Sequence, residues 1–98
     1  MDHEIRYRPA AEADFEDIAD YTIERWGTKQ ARSYLSGLRA DIESLAQFAM
    51  RFPEHESSGL DLRKMTSGHH LIFYLIDDGI VEIIRILHER MDVDGQVG

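Results

Sequence analysis

The sequence predicts an α+β domain of two layers, a helical hairpin laid across one face of an antiparallel sheet, in the order β-α-α-β-β-β. Three observations predict it. The stretch His70–His88 (HLIFYLIDDGIVEIIRILH) sets two apolar runs on either side of Asp77-Asp78-Gly79. Two amphipathic helical patterns follow each other across Gly27 and Thr28. Short alternating or strand-like segments, EIRYR (Glu4–Arg8) and LDLRKMT (Leu60–Thr66), stand before the helices and after them.

In Glu4–Arg8, short apolar residues alternate with charged ones, as in a strand with one wet face. Pro9 stops it and suits the first turn of a helix. From Ala10 to about Trp26, the residues Ala11, Phe15, Ile18, Ala19, Thr22 and Trp26 form one stripe, widened by Tyr21, so Trp26 is expected in the core at the helix end. The early acidic residues favour the positive end of the helix dipole. Gly27 serves as a C-terminal stop and Thr28 as the next N-cap. The second helix is expected from about Lys29 to Arg51, its buried stripe Ala31, Leu35, Leu38, Ile42, Leu45 and Ala49, flanked by Tyr34 and Phe48. Helices this close in sequence fold back as a hairpin. Pro53 ends the pair, Glu54–Gly59 reads as a surface loop, and Ser67-Gly68 turns Leu60–Thr66 into the apolar runs.

Asp78-Gly79 between β-branched runs signals a two-residue type I′ turn. That loop places Tyr74 opposite Ile83, Phe73 opposite Ile84 and Ile72 opposite Arg85. One face then carries Leu71, Phe73, Leu75, Ile84 and Ile86, with Glu82 by the turn. The other carries Ile72, Tyr74, Ile76, Val81 and Ile83, with Arg85 at its far end. Both faces are mainly apolar, so the hairpin belongs in the middle of the sheet. Two helices cover one face, and the uncovered face calls for a bound partner or self-association. Asp92–Gly98 lacks apolar pattern and reads as a loose tail.

The chain of 98 residues reads as one domain, residues 1–98, large enough to bury roughly 65% of its unfolded surface. Cysteine is absent, which excludes a disulfide framework and Cys-based metal or redox sites. No apolar run reaches the ~20 residues of a membrane span, and MDHEIRYR has no signal-peptide core, so no membrane role is expected and the compartment reads as cytoplasmic. The net charge of −8 is concentrated between residues 11 and 24, where Glu12, Asp14, Glu16, Asp17, Asp20 and Glu24 meet no Lys or Arg. Such a field repels phosphate backbones, so direct DNA binding is not expected; the run itself reads as a solvated helix face.

Chemistry-bearing motifs are sparse. Of His3, His55, His69, His70 and His88, only His69-His70 are close in sequence, and adjacent strand residues point to opposite faces. Neither a metal nor an organic cofactor is expected, and no phosphate loop, nucleophile elbow or HExxH occurs. The candidate cluster lies at one end of the sheet: Arg63 on the strand before the hairpin, Arg85 near the end of the last strand, and His88, Arg90 and Met91 beyond. They can hold a phosphate or dock a protein. The plainer reading is that Arg85 pairs with a carboxylate and His88 ends the strand. Tyr74 reads as core before catalyst.

Taken in series, RPAAEADFEDIADYTIERWG (Arg8–Gly27), QARSYLSGL (Gln30–Leu38), GLDLRKM (Gly59–Met65) and HHLIFYLIDDGIVEIIRILHERMD (His69–Asp92) resemble the ParE/RelE superfamily of type II toxin–antitoxin toxins, its ParE branch in particular. The resemblance implies a RelE/ParE-like fold and a growth-inhibiting toxin silenced by a cognate antitoxin. It implies a poison of DNA gyrase that traps the enzyme on cleaved DNA without being an enzyme itself. RelE-like relatives use the fold as metal-independent mRNA endoribonucleases on the ribosome; under that alternative Arg63, Arg85 and His88 are the catalytic candidates. Three departures count against it: Glu89 follows His88 where such nucleases carry Tyr, only Lys64 joins Arg63, and the chain is acidic. In-line attack by a 2′-hydroxyl needs a base, an acid and charge stabilisation, and this set is incomplete. A third alternative is a non-toxic, partner-binding member. The target- or partner-binding candidates are Arg63, Tyr74, Ile83, Arg85, His88, Arg90 and Met91, with Arg85–Asp92 as the expected effector surface.

Overall fold

The chain leaves its first strand, β1 (Glu4–Tyr7), directly into a helix because Pro9 occupies the first helical turn, where its missing N–H is not needed. Helix α1 (Pro9–Trp26) ends at Gly27, whose φ of +87° suits glycine and whose N–H bonds the Ile23 carbonyl at 2.9 Å. Helix α2 (Thr28–Glu43) returns antiparallel in the expected hairpin. A short α3 (Leu45–Phe48) and a 3₁₀ turn (Ala49–Arg51) follow, then β2 (Arg63–Ser67), β3 (His70–Asp77) and β4 (Ile80–His88). This computed structural model describes residues 2–53 and 62–90. The expected surface loop Glu54–Gly59, the start of the expected strand at Leu60, Met91 and the tail Asp92–Gly98 lie outside the described residues.

The four-stranded sheet has the order β1-β4-β3-β2, with β2–β3 and β3–β4 antiparallel and β1–β4 parallel. The sheet is therefore mixed, not wholly antiparallel as expected. The helices form a crossover between β1 and the later strands, and β1 closes the sheet beside β4, running the same way. The Asp78-Gly79 turn is as expected, with φ of +51° and +76° at the two central residues.

The β3–β4 register departs from expectation halfway along. Tyr74 faces Ile83, but Phe73 faces Arg85 and Ile72 faces Ile86, so Ile84 is an extra residue in a β-bulge. Beyond it every side chain of β4 changes parity: Ile86 packs with the helix-side core instead of the outer face. Helix α1 meets the strand at this point. Strand β1 pairs with β4 only as far as Tyr7 and Ile83. Past that point the Asp14 carboxylate accepts from the Ile86 N–H at 2.9 Å, covering the edge that β1 leaves open.

The main core lies between sheet and helices and includes Ala11, Leu38, Ile42, Leu45, Met65, Ile72, Tyr74, Val81 and Ile83. The expected stripe of the second helix is buried as foreseen at Ala31, Leu38, Ile42, Leu45 and Ala49, although the helix breaks at Ser44. There the Ser44 hydroxyl donates to the Asp41 carbonyl at 2.6 Å, an alternative to the helical ladder. Phe48, expected to widen that stripe, is exposed under the Arg51 guanidinium. Thr22, the polar member of the α1 stripe, is buried with its hydroxyl donating to the Ile18 carbonyl.

On the other face Leu62, Phe73 and Leu87 are buried, with Leu71, Leu75 and Ile84 packed beside them. Phe73 has no exposed surface. The outer face is thus not the bare apolar surface that the strand pattern implied. Leu62, Phe73 and Leu87 at its centre are buried, and Leu71, Leu75 and Ile84 around them are partly so.

Candidate functional site

A groove of about 750 Å³ lies where the helical hairpin overhangs the far end of β3 and β4. Its floor is Ile18 and the helix-side end of β4 at Ile86. On α1, the spacing Asp14, Asp17, Tyr21 puts three side chains on one face, and Trp26 closes the mouth at the helix end. From α2 come Gln30 and Tyr34, again four residues apart. The opposite wall is the end of the sheet: Gly68, His69, His70, His88 and Arg90.

Trp26 is 57% exposed and Tyr21 62%, with Ile23 exposed nearby in sequence. Trp26 is therefore not the core residue that its place on the α1 stripe suggested. The last buried residue of the helix is Thr22, and beyond it Trp26 lines the groove instead of the core. Large aromatic surface left in water beside a groove is the ordinary mark of a docking site.

Three imidazoles meet at the sheet end. The bulge brings His88 opposite His70, and their rings pack edge to face with centroids 5.4 Å apart. His69, in the β2–β3 turn, stacks on His88 at 6.3 Å, and its Nδ1 lies 3.1 Å from a Glu89 carboxylate oxygen. Tyr34 ties the group to α2: its oxygen accepts from the His69 backbone N–H at 3.1 Å and lies 2.5 Å from Nδ1 of His70. The backbone N–H can only donate to the phenol oxygen, so the phenol proton is available for a bond to His70 when Nδ1 carries none. Burial, then the neighbouring His88 and His69, push the His70 pKa down to about 4. Burial raises that of Tyr34, with Glu89 adding to it. Gly68 is needed here twice over: its φ is +57°, and a Cβ would come within 2.8 Å of the Tyr34 ring. Among the described residues no group of His and carboxylate side chains is arranged to hold a metal.

The residues singled out in the sequence scatter around this site. Arg85 makes two bonds to Asp14, Nε to Oδ2 at 2.7 Å and Nη2 to Oδ1 at 2.9 Å, the carboxylate pairing expected as the plainer alternative. Those bonds also hold its guanidinium above its ordinary pKa. His88 and Arg90 line the groove. Arg63 lies on β2, on the far side of β3 from β4, and donates to the Phe52 carbonyl at 2.6 Å. Tyr74 and Ile83 are fully buried, so neither offers surface to a partner of the folded chain. Tyr74 serves the fold instead. Its hydroxyl donates to the Ala49 carbonyl at 2.6 Å, satisfying a helix-end acceptor, and burial pushes its pKa up to about 12. Of the expected effector segment Arg85–Asp92, Ile86 and Leu87 are buried, and Met91 and Asp92 lie outside the described residues.

Sequence reasoning missed Tyr34, Asp17 and the meeting of His69, His70 and His88. The one local signal was the Gly68-His69-His70 turn; the partners come from α1, α2 and β4, which no spacing relates to it.

Comparison with known proteins bears on the whole chain. The family model for the ParE toxin of the type II toxin-antitoxin system, parDE, matches residues 5–93. Toxin ParE1 of Mycobacterium tuberculosis is 38% identical over 87 residues, spanning 88% of this chain and 89% of that one. Toxin ParE1 of Caulobacter vibrioides is 38% identical over 89 residues, 90% of this chain and 91% of its own. Among solved structures, a chain of the chromosomal ParDE TA system from P. aeruginosa superposes with a TM-score of 0.77, covering 88% of this chain and 95% of that one at 18% identity. At that identity the superposition speaks for the fold.

Proposed function

Since this chain belongs to the ParE toxin family of type II toxin–antitoxin systems, we propose that it arrests growth in the cytoplasm by binding DNA gyrase, and that a cognate antitoxin silences it by occupying the groove beneath the helical hairpin. The observation that carries the antitoxin half is the groove itself, with Trp26 and Tyr21 exposed at its mouth. Aromatic side chains with a polar tip and little rotamer entropy are the usual anchors of protein interfaces. The solved relative from P. aeruginosa is itself part of a ParDE system. No helix among the described residues is long and apolar enough to cross a membrane.

Two features support protein contact over phosphate chemistry as the toxic act. Arg85, one of the two candidate phosphate-binding arginines, is already engaged by both oxygens of Asp14. The chain's net charge of −8 also opposes approach to RNA. One observation favours a second reading, RNA cleavage: His69, His70, His88 and Tyr34 stand together, side chains of the kind that acid–base cleavage needs.

A supercoiling assay separates them. The purified chain is titrated into gyrase with relaxed plasmid, scoring loss of supercoiling and accumulation of cleaved DNA, and in parallel into translating ribosomes with a reporter mRNA. Inhibited supercoiling with cleaved DNA, reversed by the antitoxin, is the expected result. Unaffected gyrase together with cut mRNA that His88→Ala abolishes would transfer the assignment to the nuclease reading.

A further inference from the structure

The two walls of the groove differ in charge. On α1, Asp17 and Tyr21 stand four residues apart on the groove side, and Trp26 follows at the mouth. Asp14, at the inner end, is spoken for by Arg85. Asp17 belongs to the acidic run from Glu12 to Glu24 and is exposed. The opposite wall carries His69, His88 and Arg90, with His69 already paired to Glu89. An occupant presenting acid to the α1 wall would meet Asp17 backed by the field of the whole run. An occupant presenting a cation would meet a carboxylate, two exposed aromatic faces and that same field, here attractive.

Accepting that the groove is the antitoxin's seat, we propose that the segment which fills it is cationic on the side facing α1: an amphipathic stretch whose apolar ridge lies along Ile18 over the end of β4 at Ile86 and whose arginine side chain seats against Asp17 and over Tyr21 and Trp26. A guanidinium suits this wall because it stacks on aromatic rings through its plane and bonds a carboxylate through its edge. The chain's own Arg25 shows the affinity of the ring for a cation, its guanidinium lying 5.9 Å from the Trp26 centroid. That distance is at the outer limit of such contacts, so a closer cation gains by displacing it. The charge pattern thereby fixes both partner choice and direction in the groove, cation toward α1 and acceptor groups toward Arg90.

The test uses the full chain and two synthetic amphipathic helical peptides that share one leucine ridge, flanked by arginine in one and by glutamate in the other. Trp26 is the chain's only tryptophan, so its fluorescence reports on the groove mouth directly. The arginine peptide is expected to bind about tenfold more tightly than the glutamate peptide at low salt, the difference shrinking as salt is raised. Asp17→Arg should invert the preference. Glu16→Arg makes the same change in net charge at an exposed position of the same helix outside the groove, and should leave the preference near that of the unmodified chain. Equal binding of the two peptides, no Trp26 response to either, or an equal effect of the two substitutions would overturn the proposal. Hydrogen exchange on the chain with its full antitoxin separates this from the groove reading. Protection of α1 and the end of β4 without any charge preference sinks the cationic segment alone, whereas absence of protection there sinks both.

Discussion

Asp14 carries more of this structure than its place in an acidic run suggests. Its carboxylate holds the Arg85 guanidinium through two bonds and accepts the Ile86 N–H as well. Both side chains are largely shielded, at 12% exposure for Asp14 and 25% for Arg85. Asp14→Ala would leave a guanidinium and a backbone donor without this acceptor, and is expected to lower stability by about 2–3 kcal/mol in urea denaturation. A loss below about 0.5 kcal/mol, the range of an ordinary surface pair, would show that the carboxylate is replaceable by water. His70 gives a pH dependence of definite sign. Its pKa falls from 6.5 to about 4 on folding, so between those values the unfolded chain holds the extra proton. The stabilisation is complete above about pH 6.5, declines as pH falls and levels off below about pH 4. At most it amounts to about 3 kcal/mol. Denaturation midpoints taken from pH 7 to pH 5 should fall more steeply for the unmodified chain than for His70→Phe; parallel curves would refute the assignment.

At the level of elements, three glycines separate the effects of φ, space and helix propensity. Gly79 has a φ of +76° and open space around it, so Gly79→Ala meets only backbone strain, about 1 kcal/mol. Gly68 combines φ +57° with the Tyr34 ring at 2.8 Å. Gly68→Ala should therefore destabilise clearly more than Gly79→Ala and disturb the Tyr34–His70 bond, seen as a shifted His70 titration by NMR. Gly37 lies exposed inside α2 with nothing within 4 Å of an added Cβ, and Gly37→Ala should stabilise by about 0.5–1 kcal/mol. Thermal unfolding of the three variants gives the order directly. The same elements show which features a sequence reveals. The Asp78-Gly79 turn was legible because its cause is local, two residues that tolerate positive φ. The bulge at Ile84 was not, because the carboxylate that stabilises it sits 71 residues from Arg85. An unbulged register carries Leu87 to His70; the extra residue brings His88 there instead, so the histidine cluster stayed hidden with the bulge.

Over the whole molecule, the two-layer arrangement followed from periodicity, since amphipathic stripes need a face to cover and the central hairpin supplies it. The parallel pairing of β1 with β4 had no local signal, because it depends on where a two-helix crossover sets the chain down. The groove was illegible for a related reason. It is the space left between α1, α2 and the sheet end, and Trp26 reads as a core residue until one sees what the last turn of α1 faces. The groove walled by exposed aromatics is where the proposed antitoxin binding is to be tested. The most direct test is the affinity of the antitoxin for the double variant Tyr21→Ala/Trp26→Ala, measured by calorimetry beside the unmodified chain. Both side chains are mostly exposed, so the fold should survive, which circular dichroism checks. Affinity is expected to fall by about 30-fold or more, the loss typical of anchor residues. Unchanged affinity in a folded variant would contradict the claim that the antitoxin is held in this groove.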